Sequence, residues 1–167
     1  MIAVLTAGIV LAACGGGGSA ASSLPIASAS DAALAFLRAA RDSNVTRMAE
    51  LWGTVNGPAS KTNQPDDYQR RVVVMQSFLW NDSSKVIGQA AVPGNDSRRT
   101  VTVEMWRSGC MKQLPFDMAR TRDGAWLVQD PKLGLAGNPA RPCDTEPPES
   151  TDRSVDSRSA GRGSLTR

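Results

Sequence analysis

Histidine is absent from all 167 residues, so chemistry in this chain must come from cysteine, carboxylate or aromatic side chains. The absence removes Ser-His-Asp and Cys-His nucleophile systems and every histidine metal ligand. It also removes the one side chain whose ordinary pKa lies near neutrality. Three cysteines, Cys14, Cys110 and Cys143, are too few for a four-cysteine zinc site, and no CxxC pair occurs. The segment Gly57-Pro58-Ala59-Ser60-Lys61-Thr62 has the outline of a phosphate loop. However, Val55 and Ser60 stand where its two glycines belong, and Pro58 removes a backbone donor that a phosphate cradle needs. Asp66-Asp67 reads as a charge pair at a helix start rather than a metal site. Trp52, Trp80, Trp106 and Trp126 read as core or pocket wall. No cofactor is expected.

Both ends of the chain are expected to lie outside the folded unit. Residues 1–14, MIAVLTAGIVLAAC, are apolar and uncharged, too short to span a bilayer but of signal-peptide length. Leu11-Ala12-Ala13-Cys14 resembles the lipobox of bacterial lipoproteins, and the Gly15–Ser19 run resembles the flexible tether that follows it. The resemblance implies a signal peptide over 1–13, an acylated Cys14 and a tether over 14–30. The implied location is the periplasmic side of the bacterial cell envelope, on a membrane through the lipid anchor. Gly15 in place of an Asp after the Cys implies the outer membrane rather than the inner. No Lys or Arg precedes the apolar run, so an upstream start codon is expected. An ordinary secretory signal and a buried N-terminal helix are the alternatives. At the other end, residues 144–167 contain only Val155, Ala160 and Leu165 as apolar residues and are expected to be disordered.

The remaining 31–143 is one domain of ordinary size, with 15 basic against 11 acidic residues. The basic residues are scattered, adjacent only at Arg70-Arg71 and Arg98-Arg99, which argues against nucleic-acid binding. Helical spacing over 31–42 places Ala33, Phe36, Leu37 and Ala40 on one face, with Ser28 as a cap. A second helix follows Asn44 and stops at Gly53, residues 54–63 read as loop, and a third helix begins at Pro65. A strand is the competing reading around Val72-Val73-Val74. After Asn81 the period changes to two. Strands are expected around 86–92, 100–106, 114–118 and 125–129, joined by turns at Pro93-Gly94, Ser108-Gly109 and Asp123-Gly124. Pro115 argues for an edge position or a bulge. Three hairpin connections give an antiparallel meander with helices on one side, an α+β fold.

The element order, with AALAFLRAARDSN, MAELWG and FDMARTRDGAWLVQD, resembles the nuclear transport factor 2-like superfamily. That resemblance implies three helices on a curved four-stranded sheet closing into a cone; a cystatin-like or other α+β roll is the alternative. It also implies a concave pocket in which some family enzymes use a carboxylate base. Glu104, Asp117 and Asp130 are the candidates, with Trp52, Trp106 and Trp126 as possible pocket or sheet-face residues. Alternation puts Glu104 on the strand face opposite Val101, Val103 and Met105, and Asp117 opposite Leu114, Phe116 and Met118, toward solvent.

In the meander, the end of the fourth strand lies beside the start of the third. Cys143 can therefore reach Cys110, and outside the cytoplasm the two are expected to pair; free thiols or intermolecular pairing are the alternatives. The favoured function is a lipid-anchored, noncatalytic module that binds a small apolar ligand or an envelope protein. A carboxylate-dependent isomerase, dehydratase or hydrolase and a structural envelope spacer are the alternatives.

Overall fold

The computed structural model describes residues 26 and 28–143; Cys14, the tether start and the 144–167 tail lie outside the described residues. Four helices come first: α1 (Ala29–Arg41), α2 (Val45–Leu51), the single turn α3 (Ala59–Thr62) and α4 (Tyr68–Leu79). A small hairpin, β1 (Gly53–Thr54) and β2 (Gly57–Pro58), lies between α2 and α3. Strands β3 (Ser83–Val92), β4 (Asn95–Arg107), β5 (Cys110–Arg120) and β6 (Trp126–Pro131) then pair antiparallel in sequence order. One turn of 3₁₀ helix, Leu133–Leu135, follows β6.

Local chemistry explains the helix ends. Ser28 accepts a hydrogen bond from the Asp31 N–H, and Asn44 accepts one from the Arg47 N–H, each satisfying a donor that the first turn leaves free. Residues 54–63, read as loop, instead form β1, β2 and α3. Gly53 follows the α2 cap as expected, yet its role is close approach: a Cβ there would sit 2.8 Å from Pro58 Cα. The third long helix starts at Tyr68, three residues beyond Pro65, and the Val72-Val73-Val74 run is helical. Val72 is buried whereas Val73 and Val74 are exposed, because one face of α4 meets the core.

The helices cover one face of the sheet. Phe36 and Leu37 of α1, Met48 of α2 and Leu79 of α4 pack against Val101, Val103, Leu114, Phe116 and Val128. Complete burial of such side chains contributes about 1.5–3 kcal/mol each. Polar groups lock the layers at one end. The buried Asn81 amide donates to the carbonyls of Leu37 and Leu79, joining α1 to α4. Arg107, 5% exposed, donates to the carbonyls of Ser77, Phe78 and Trp80 at the end of α4.

The cone expected from the nuclear transport factor 2-like resemblance is not formed. Helices do pack on a four-stranded antiparallel sheet, but the sheet is neither strongly curled nor closed. Strand bulges are the usual device for bending a sheet. Here the irregularities fall in the outer pairs, at Ile87, between Ala91 and Val92, and at Gln129, while the central β4–β5 ladder runs unbroken from Arg98↔Ala119 to Arg107↔Cys110. The central ladder thus has no bend, and β3 and β6 stay apart as opposite edges. Pro115 lies on the inner strand β5, yet its carbonyl accepts from the Lys132 N–H just past the end of β6. Its missing N–H therefore points where β5 has outrun its neighbour, a local edge.

Cys110 and Cys143 form a disulfide, with Cα atoms 5.3 Å apart and a sequence separation of 33. The chain between β6 and Cys143 turns back over the end of the core, where Ala136 is buried and Leu133 packs on the cluster. Closing a loop of this length stabilises by about 3–4 kcal/mol in the chain-entropy picture. Urea unfolding of the oxidised and reduced protein is expected to differ by that amount. Equal midpoints would mean that packing alone holds the segment.

Candidate functional site

A cleft of about 490 Å³ opens between the first turns of α4 and the end of β6. Small-molecule sites run roughly from 300 to 1,000 Å³. Its apolar walls are Trp52, Val74, Met75, Pro131 and Leu133, and its polar groups are Asp67, Arg70, Arg71, Gln129 and Asp130. Trp52 is fixed there because its indole Nε1–H donates to the Gln129 carbonyl at 3.0 Å and its backbone bridges Val128. The β5–β6 register shifts between Asp117↔Asp130 and Met118↔Val128, which leaves Gln129 as an extra residue with no partner on β5. Such a bulge re-aims a side chain, and Gln129 lines the cleft. Arg71 pairs with Asp67 at 2.7 Å, one helical turn away, and this guanidinium holds the Asp67 carboxyl below its usual pKa.

The candidate residues from the sequence divide among three places. Trp52 and Asp130 belong to the cleft. Glu104, Trp106 and Asp117 lie on the sheet face away from the helices, together with Asp130, which stands opposite Asp117. Trp126 is buried on the helix side, under the Arg99 guanidinium 5.7 Å from its ring centre. The three carboxylates are all paired. Glu104 meets Lys85 at 2.8 Å and accepts from the Trp106 indole at 3.0 Å. Lys132 bridges Asp117 at 2.7 Å and Asp130 at 2.5 Å, and these two carboxylates raise its own pKa. Thr100 also donates to Asp117.

Sequence reading missed Arg70, Arg71 and Gln129 as cleft residues. The Arg70-Arg71 adjacency was visible, but nothing local to it points toward β6. The bulge that turns Gln129 inward is a property of pairing between strands and leaves no mark on either strand alone. Among the described residues, no cluster of Cys, Asp or Glu could hold a metal ion, and no helix is long and apolar enough to cross a membrane. Comparison with protein-family models, with curated proteins and with solved structures finds no match to this chain. Fold and site together define an α+β domain with one face of its sheet covered by helices and a lateral cleft.

Lys85 and Trp106 both hydrogen-bond the charged form of Glu104 and hold its pKa below the ordinary glutamate value. A depressed carboxyl pKa adds stability above the unfolded value, and that stability is lost as pH falls through the folded value. Carboxyl-carbon NMR titration should therefore find Glu104 titrating below the ordinary glutamate range, and Lys85→Met should move it upward. A Glu104 pKa unmoved by that substitution would mean that the pair is not formed in solution.

Proposed function

We propose that the protein is a lipid-anchored binding module of the bacterial cell envelope, without catalytic turnover. The cleft carries this reading: its walls are mainly apolar, and Asp67 and Asp130 at its rim are each engaged by a neighbouring cation. General-base chemistry asks for a carboxylate shielded from water with its pKa raised toward the working pH. Glu104 is instead pushed down, and Asp117 and Asp130 share a lysine on a face open to solvent. The carboxylate enzyme reading therefore has no support from the candidate residues. The anchor is proposed from the Leu11-Ala12-Ala13-Cys14 motif alone, and several acyl chains would hold the domain at a membrane surface where one would be marginal.

Expression in a bacterial host with labelled palmitate tests the anchor. The wild-type chain should take up label and sediment with outer membranes, and Cys14→Ser should lose both. Label-free wild-type protein released to the periplasm would contradict the anchor and favour an ordinary secretory signal.

A further inference from the structure

Two features of the cleft indicate the kind of ligand it fits. The first is an unbalanced charge. Among the described residues the Arg70 side chain makes no hydrogen bond or close ion pair and acts on Asp67 only through space, whereas the charges around it are engaged directly, Arg71 with Asp67 and Asp130 with Lys132. The mouth therefore presents one guanidinium whose N–H donors are unused, a group whose parallel donors match a carboxylate. The second is an unanswered acceptor. Gln129 Oε1 is buried and has no hydrogen-bond partner, a costly state for an amide oxygen. Gln129 itself lines the cleft, and the ligand pose below has its amide turn about its own side-chain bonds so that this oxygen meets the ligand. The same cleft is walled by the apolar surfaces of Trp52, Val74 and Leu133.

Resting on the reading of this cleft as a binding site, we infer that it takes an apolar carboxylate with an N–H beside the acid group, as found at the carboxy-terminal apolar residue of a peptide. The terminal carboxylate meets Arg70, the last amide N–H donates to Gln129 Oε1, and the terminal side chain lies against Trp52 and Leu133. A hydrocarbon alone answers neither polar group. Arg70 disfavours a cation, and inorganic phosphate brings no apolar body to the walls.

The full chain in detergent, labelled with ¹⁵N in its four tryptophans, tests this by NMR titration. The Trp52 indole signal is identified as the one lost in Trp52→Phe. The probes are acetyl-Ala-Ala-Leu with a free carboxylate, the same peptide amidated, and the same peptide with its last amide replaced by an ester. The free acid should shift Trp52 saturably and bind at least about tenfold tighter than the amidated form, with the ester weaker by several-fold. Arg70→Gln should abolish the preference for acid over amide, bringing the free acid down to the affinity of the amidated peptide measured on the same variant. Equal binding of acid and amide at Trp52 would overturn the ligand class yet leave the cleft a binding site. No saturable Trp52 shift with any probe would overturn the inference and also count against the cleft reading beneath it.

Discussion

A guanidinium buried between the sheet and the end of α4 holds the two layers together. The last carbonyls of a helix have no N–H partner within it and form the negative end of its dipole. Arg107 projects from β4 and supplies donors to three carbonyls there. Burial lowers its pKa, and the nearby Asp82 opposes that shift, so the charge is kept where the carbonyls need it. Asp82 in turn accepts from the Ser108 N–H and donates its own N–H to the Trp106 carbonyl. The chain leaving α4 is thereby tied to the β4–β5 turn. Removing Arg107 would leave three part-buried carbonyls without this donor, a penalty of at most about 1–3 kcal/mol for each one that water does not reach.

The cleft depends on this joint and on the disulfide at the same end of the sheet. With α4 fixed by its C-terminal end, its first turns carry Arg70, Arg71 and Val74 alongside the end of β6. The segment after β6 supplies Leu133 to the wall and then runs to Cys143, pinned to Cys110 beside the β4–β5 turn. Lys132 adds a polar tie from the same segment to Asp117 and Asp130. A surface ion pair of this kind contributes little alone, but here it fixes the direction in which the chain leaves the sheet. One wall of the cleft is therefore held by a helix-end hydrogen-bond cluster and the other by a covalent staple.

Much of this was legible in the sequence where a rule is local. Period two marked the four strands and the inward faces of β4 and β5, and Ser28, Asn44 and Asp123-Gly124 marked element ends by side-chain and turn chemistry that needs no partner. The Cys110–Cys143 pairing followed from the meander order. The parity that places Val101, Val103 and Met105 inward also places Arg107 inward, so the joint was written in the alternation, although a charged residue at a strand end reads by default as solvated. What could not be read depends on pairing at a distance. The unbroken β4–β5 ladder keeps the sheet from curling into the cone suggested by element order, and the Gln129 bulge exists only as a register between strands. The β1–β2 hairpin was hidden in a Gly- and Pro-rich stretch, where the need for glycine at 53 comes from Pro58 approaching in space.

Native-state hydrogen exchange on the full chain tests most directly whether Arg107 makes α4 and the sheet one cooperative unit. If the joint holds as described, the amides of Val72, Met75 and Leu79 open together with those of Val101 and Val103. They should share one opening free energy and one dependence on denaturant. Exchange of the α4 amides through a separate, lower-energy opening that barely depends on denaturant would contradict the account, because the helix would then be resting on the sheet without being locked to it.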